Sequence, residues 1–111
     1  MDLKILRKYN SIRQKEWNGN KSVPLSFRGN ELAGEVGEAC NIIKKIDREA
    51  MGFVGSRATA AELADELADI IICVDLIAIE MDIDLSTKIP EKFNHTSRKY
   101  KLDTRIPNED I

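Results

Sequence analysis

Two pairs of acidic residues have a spacing that suits shared chemistry. The first pair is Glu35 and Glu38, and the second is Glu66 and Asp69. Side chains at positions i and i+3 project from the same side of an α-helix, so each pair offers two carboxylates to one place. Converging carboxylates supply the oxygen ligands that Mg²⁺ prefers and Mn²⁺ also accepts. The spacing therefore predicts a divalent-metal site built from two helices.

The apolar residues around the pairs indicate which carboxylates lie inside the protein. On a wheel of about 100° per residue, Glu35 and Glu66 fall within apolar arcs, whereas Glu38 and Asp69 lie at the edges. An unpaired carboxylate among apolar neighbours costs on the order of several kcal/mol, so it must be protonated, paired or metal-bound. We find no Arg or Lys in either arc. The arcs consist of Leu32, Val36, Ala39, Ile42, Ile43 and Ile46, and of Leu63, Leu67, Ile70, Val74 and Ile77.

Other acidic residues and the single histidine have simpler interpretations. Solvated surface charge is the alternative for any such pair in a chain with 32% charged residues, and it is preferred for Glu31, Glu62 and Asp65. A ferritin-like di-iron bundle requires Glu-x-x-His on two helices. The only histidine, His95, follows Lys92 at that spacing, which excludes the di-iron site.

Positioning these pairs requires helices, and the sequence predicts four. Ser26 is expected to cap the second helix, Thr59 and Glu62 have the spacing of a capping box, and Asp84 is expected to cap the fourth. Pro90 either kinks that helix or marks its first turn. We expect an all-α, four-helix-bundle-like domain spanning residues 1–111 with a loosely ordered tail at 102–111. The first three helices are predicted at about 2–17, 26–50 and 59–81.

Composition limits the classes of partner. The 111 residues suffice for one domain, and 17 basic against 19 acidic residues give a net charge of −2. This balance argues against broad electrostatic binding to nucleic acids or membranes. No apolar run approaches the ~20 residues of a membrane span, and no signal peptide is recognisable. Cys40 and Cys73 lack C-x-x-C spacing, so we expect reduced thiols in a cytoplasmic protein.

The acidic motifs also resemble a known signature. Glu35-Val36-Gly37-Glu38, followed after 27 residues by Glu66-Leu67-Ala68-Asp69, is similar to the E-x-x-E…E-x-x-D pattern of the MazG-like all-α NTP pyrophosphohydrolases. The chain looks most like short bacterial and phage members. The similarity runs from about residue 16 to 105 and includes the segments 16–18, 41–45, 84–85 and 92–97.

This resemblance implies a reaction and a set of site residues. The reaction is Mg²⁺-dependent hydrolysis of a nucleoside triphosphate, especially a deoxynucleotide, to the monophosphate and pyrophosphate, which would remove or recycle nucleotides. Some relatives carry an acidic residue where this chain has Gly34, so the general base stays unassigned. The implied metal ligands and catalytic residues are Glu35, Glu38, Glu66 and Asp69, and the implied substrate contacts are Trp17 near the base, Asn41, Lys45, and, facing the phosphates, Lys92, Asn94 and Arg98.

The sequence leaves two alternative functions open, and it also predicts an oligomer. The chain could instead be a catalytically silent helical interaction module, or it could use the same fold on phosphoribosyl-ATP. One helical hairpin can gather the acidic residues but cannot cover the site or bury both seams. We therefore expect a homodimer at least, and the resemblance implies a homotetramer.

Overall fold

Four α-helices and one short 3₁₀ turn make up the secondary structure of the chain, and there are no strands. The computed structural model describes residues 1–111. The expected all-α class is confirmed. The helices are α1 (Leu3–Asn18), α2 (Leu25–Ala50), α3 (Ala60–Glu80) and α4 (Leu85–Lys99), and the 3₁₀ turn is Asn108–Asp110.

Side-chain caps begin three of the four helices. Asp2 accepts a hydrogen bond from the Lys4 amide at 2.7 Å, and the Thr59 hydroxyl accepts one from the Glu62 amide at 3.2 Å. The expected cap at Thr59 is therefore confirmed. Each such bond satisfies a backbone donor that has no partner within its helix.

The start of α2 differs from the expectation, and the cap assigned to Ser26 is wrong. The helix begins at Leu25, so Ser26 lies inside its first turn. Pro24 precedes the helix and has no side chain that could cap it. Its carbonyl instead accepts the first helical hydrogen bond, from the Phe27 amide at 3.0 Å, because proline's fixed φ suits a helix entrance.

The start of α4 confirms the expected cap at Asp84. Its carboxylate accepts a hydrogen bond from the Ser86 amide at 3.0 Å. Hydrogen bonds from Ser86 and Thr87 hold the pKa of Asp84 below its ordinary value. The helix then continues through Pro90, which is buried. The missing proline N–H costs one internal hydrogen bond in the second turn, and the cap upstream still defines the helix start.

The helices pack as an antiparallel α2/α3 hairpin with α1 against α3 and α4 against α1. A polar network holds α1 on α3. The Asp75 carboxylate accepts hydrogen bonds from Arg7 Nε at 2.9 Å and from Asn10 Nδ2 at 3.2 Å. The Asn10 amide also donates to the Ile72 carbonyl at 3.1 Å. Asp75 and Asn10 are both buried, so polar contacts define this helix crossing.

The resulting molecule is flat and leaves much apolar surface open. It measures 46 × 46 × 24 Å, and its radius of gyration is 17.5 Å, against about 13 Å for a compact chain of this length. The hydrophobic residues that are buried are three alanines, Ala39, Ala58 and Ala78. A single chain therefore buries little of the large apolar side chains. No helix combines the length and apolar character needed to cross a membrane.

An amide clamp ties the C-terminal segment to α4. The Asn94 side chain donates to the Ile106 carbonyl at 3.0 Å and accepts from the Ile106 amide at 2.8 Å. Beside it, the Leu102 amide donates to the Ser97 carbonyl at 2.8 Å as the helix ends. The segment after α4 therefore folds back along the helix as far as Ile106.

Candidate metal centre

The α2/α3 hairpin brings three of the predicted carboxylates together. Glu35, Glu38 and Glu66 each offer one oxygen, and these oxygens all lie within 4.8 Å of one another. Glu35 and Glu66 are half-buried and Glu38 is exposed, in agreement with their positions on the helical wheel. We call these three residues the acidic cluster.

The cluster contains buried oxygens without partners. One oxygen of Glu35 and one of Glu66, Oε2 in each case, are buried and accept no hydrogen bond. Buried carboxylate oxygens are normally paired because losing water without a replacement is costly. The two helices thus hold acceptor atoms for which the chain provides no donor.

Mutual repulsion and burial change the acidity of the cluster. Burial, hydrogen bonding to Glu38 and Glu35, and the negative charges of those neighbours raise the pKa of Glu66 to about 7. Near neutral pH, the cluster therefore either holds a proton or binds a cation. Opposite oxygen ligands of Mg²⁺ lie about 4.2 Å apart, so small side-chain rotations would let all three glutamates reach one ion. The oxygen-only donor set fits Mg²⁺ or Mn²⁺.

Asp69 lies outside the group of three. It is exposed on α3, one turn after Glu66, and its carboxylate is not among the oxygens within 4.8 Å. The charge of Asp69 nevertheless affects Cys73 of the same helix. The pKa of the Cys73 thiol is raised, first by burial and then by the charges of Glu31, Glu35 and Asp69. A ligand role for Asp69 stays a prediction that requires its side chain to turn towards the cluster.

A buried cation, Arg28, lies on the same side of α2 as Glu35, contrary to the prediction. It is buried and lies seven residues before Glu35, hence on the same side of α2, so the claim that this arc contains no cation is wrong. The guanidinium forms an ion pair with Glu31 at 2.8 Å. It does not neutralise Glu35, because two helical turns, roughly 10 Å, separate the two positions. Its Nε is buried without a partner.

A cavity of about 280 Å³ lies between the second half of α1 and the first half of α2. Its walls include the aromatic rings of Trp17 and Phe27 and the polar side chains of Gln14, Arg28 and Glu31. Trp17 is 80% exposed, which places it at the surface of the cavity and not in a core. Glu31 precedes Glu35 by one helical turn, so the cavity and the acidic cluster are neighbours along α2.

The other predicted substrate contacts are more dispersed. Asn41 is exposed and Lys45 half-buried on α2, beyond Glu38 and away from the cavity. Lys92 and Arg98 are exposed on α4 and form no ion pair with the acidic cluster. The Asn94 amide is engaged by Ile106. The structure thus joins Trp17 to a cavity beside the acidic cluster and leaves the α4 residues on a different helix pair.

Several polar residues near the site escaped the sequence analysis. Arg28 could have been found from its position seven residues before Glu35. Asn10 interrupts the apolar face of α1, and Asp75 follows the apolar run of α3, so both carried a weak signal. Gln14 carried none, because a glutamine on a charged helix is ordinary surface.

Comparisons of the chain with models of protein families, with curated proteins and with solved structures find no match in any of the three.

Proposed function

We propose that the chain is a Mg²⁺-dependent pyrophosphohydrolase that cleaves nucleoside triphosphates to the monophosphate and pyrophosphate. The observation that carries the proposal is the pair of buried, unpartnered carboxylate oxygens on Glu35 of α2 and Glu66 of α3, in a cluster that also includes Glu38 of α2. A purely structural role does not explain them, because a hydrophobic pair would pack there at lower cost. The similarity of the acidic motifs to MazG-like enzymes adds the reaction type.

Glu35, Glu38 and Glu66 would hold the ion, with Asp69 as the candidate fourth ligand. Bound Mg²⁺ would neutralise phosphate charge and lower the pKa of a coordinated water. Phosphoryl transfer depends mainly on positioning and charge compensation. The contribution of the chain is therefore to fix these carboxylates on two rigid helices and to seat the nucleotide beside them. Without a cation, the negative cluster would repel a triphosphate.

The cavity beside the acidic cluster is the candidate site for the nucleoside. Trp17 and Phe27 supply aromatic surface for stacking. The Gln14 amide nitrogen donates to Glu80 at 3.3 Å, which orients its oxygen as a free acceptor. That oxygen is buried and has no partner in the chain, so it is available to a base amino group after a small movement.

We also propose that the active species is a homodimer or a homotetramer. The flat shape and the exposed apolar side chains of the α2/α3 hairpin support this, since a second hairpin would complete a four-helix bundle. Exposed residues on this surface include Val36, Ile43, Leu67 and Ile71. A monomeric mass by light scattering at micromolar concentration would contradict the assembly.

The decisive experiment measures pyrophosphate and monophosphate release from a panel of NTPs, dNTPs and phosphoribosyl-ATP with Mg²⁺. We expect turnover of at least one nucleoside triphosphate and a loss of about 100-fold or more on Glu35→Gln, because second-sphere changes alone cost about 10–100-fold. Asp69→Asn tests the fourth ligand. The matched control is Asp65→Asn, which removes an exposed charge from the same helix.

The same panel distinguishes the other two functions. Hydrolysis of phosphoribosyl-ATP alone would keep the metal site and change the substrate. No turnover, together with no Mg²⁺ binding by calorimetry in the presence of a nucleotide analogue, would replace the enzyme with an interaction module.

A further inference from the structure

We infer that Gln14 and Arg28 make the cavity beside the acidic cluster selective for bases that carry an exocyclic amino group next to an unprotonated ring nitrogen. Cytosine and adenine have such an edge. The inference rests on the proposed function for the identity of the ligand as a nucleotide, and it adds which bases the site accepts. Its basis is an acceptor and a donor that are buried at one cavity and have no partner in the chain.

The two unpartnered atoms come from different helices. Outside the acidic cluster, Gln14 Oε1 on α1 and Arg28 Nε on α2 are the buried side-chain atoms without a hydrogen-bond partner. Both residues line the same cavity of about 280 Å³, and Arg28 is only 5% exposed. Buried polar atoms are normally paired, so a cavity with one free acceptor and one free donor offers two specific bonds to a polar ligand.

The free atom of Gln14 is an acceptor. The amide nitrogen donates to Glu80 Oε1 at 3.3 Å, and because an ionised carboxylate only accepts, this bond distinguishes the nitrogen end of the amide from the oxygen end. The oxygen at the other end requires a donor from the ligand. The exocyclic amino group of a base is such a donor, whereas a base carbonyl would place two acceptors against each other.

The free atom of Arg28 is a donor on a guanidinium whose charge is already compensated. Its Nη1 donates to Glu31 Oε1 at 2.8 Å in an ion pair, so this buried group does not require a phosphate to balance its charge. The remaining Nε–H suits a neutral acceptor such as an unprotonated ring nitrogen. A ring N–H at that point would oppose two donors and leave both without a partner.

The aromatic residues of the cavity can hold a base but do not distinguish one base from another. Trp17 and Phe27 are 80% and 52% exposed, so their rings are available for stacking, which tolerates every base. Discrimination therefore depends on the two polar atoms. Uracil, thymine and hypoxanthine present an oxygen and a ring N–H on this edge, and guanine presents a ring N–H beside its amino group. A site that hydrogen-bonds its ligand rejects an analogue that leaves these buried groups unpaired.

Binding of nucleosides tests this selection without metal, phosphate or turnover. Two matched pairs exchange the amino edge for an oxo edge, namely deoxycytidine with deoxyuridine and deoxyadenosine with deoxyinosine. Trp17 is the only tryptophan, so its fluorescence reports occupation of the cavity. We expect the amino member of each pair to bind about 10-fold more tightly or better. Equal affinities within both pairs, or no binding of any nucleoside at millimolar concentration, would overturn the inference.

Two variants test whether these residues make the selection. Gln14→Met keeps the length of the side chain and removes the acceptor, and Arg28→Lys keeps a cation for Glu31 and removes the Nε–H. Each should bring the affinities for deoxycytidine and deoxyuridine close to equality. The matched controls Lys15→Met and Arg57→Lys change exposed residues outside the cavity and should keep the wild-type preference. A preference that survives in both cavity variants would overturn the inference.

The turnover panel separates this inference from the proposed function. The kcat/KM should be higher for dCTP and dATP than for dUTP and dITP. Similar values for all four would overturn the selection of bases and leave the pyrophosphohydrolase standing. Selective binding of nucleosides without turnover of any triphosphate would support the selection and contradict the proposed function.

Discussion

Two places in this molecule hold carboxylates away from water, and they differ in what surrounds them. Asp75 is buried where α1 crosses α3, and Arg7 and Asn10 both bind its oxygens. Glu35 and Glu66 are held between α2 and α3, and the neighbour of each is another carboxylate. The first carboxylate is paired by side chains of the chain, whereas no side chain of the chain forms an ion pair with the second group.

We interpret the first place as structural, and the proposed function assigns the second a role in binding. A buried carboxylate with a guanidinium and an amide fixes how two helices cross, and nothing further needs to bind. Carboxylates that repel one another raise the free energy of the folded chain, and the proposed metal ion would reverse this repulsion. Burial alone would not distinguish the two cases.

The largest change in the free energy of unfolding is expected where Arg7 and Asn10 bind Asp75. Arg7→Met removes the cation and leaves Asp75 buried with only the Asn10 amide as a side-chain partner. Breaking a buried pair in this way costs about 3–5 kcal/mol, and we expect the lower end because Arg7 is 30% exposed. Urea unfolding with an unchanged m-value measures this loss.

The matched double variant Arg7→Met, Asp75→Leu should recover much of that stability, because an apolar pair leaves no unpaired charge. Equal stability of the Arg7→Met variant and the wild type would remove the distinction between the two regions.

At the acidic cluster, we expect a substitution to stabilise the fold instead of destabilising it. The pKa of Glu66 is raised from its ordinary value of 4.5 to about 7 in the folded protein. The protonated group therefore stabilises the fold fully below pH 4.5. This stabilisation is lost as the pH rises through about 7. Glu66→Gln removes the charge and can donate to Glu35. In EDTA at pH 8, the variant should therefore melt at a higher temperature than the wild type.

Mg²⁺ should reverse the order of thermal stability of the wild type and Glu66→Gln. At pH 8 the wild type should gain thermal stability with Mg²⁺ concentration, as expected for a ligand that binds only the folded state, and Glu66→Gln should gain less. At pH 5 the metal effect on the wild type should fade because Glu66 is protonated. A wild type that is more stable than Glu66→Gln at pH 8 in EDTA would contradict the repulsive cluster.

The smallest effect is expected outside both regions and serves as their reference. Thr59→Ala deletes the cap of α3 and should cost about 1 kcal/mol at every pH between 5 and 8. Thr59→Ser should restore most of the loss, since serine caps equally well. A dependence of this loss on Mg²⁺ would show that the end of α3 and the acidic cluster are coupled.

Much of the fold could be predicted from local patterns. Apolar periodicity gave the four helices, and the caps at Thr59 and Asp84 have strong short-range signals. The cap of α2 was missed by two residues, Ser26 instead of Pro24, because a proline entrance can replace a side-chain cap. Helix-wheel geometry placed Glu35 and Glu66 inside the hairpin because that geometry depends only on the turn of one helix.

The rest of the site depends on contacts between distant segments, which periodicity does not encode. Arg7 and Asn10 bind Asp75 across 68 and 65 residues of sequence, and the chain offers several other partners for each. The i and i+3 spacing grouped Asp69 with the other three carboxylates, but it does not specify the distances between carboxylate oxygens on two different helices. The clamp from Asn94 to Ile106 joins residues twelve apart across a helix end, where the helical repeat stops.

The glycines of α2 have a consequence for how this helix moves. Gly29, Gly34 and Gly37 lie within it, and a Cβ at any of them would meet open space. Each weakens the helix by about 1 kcal/mol relative to alanine. The segment of α2 around Glu35 is thus the part of the hairpin whose amide protons should exchange with solvent most readily. A bound ion that bridges α2 to α3 would slow that exchange.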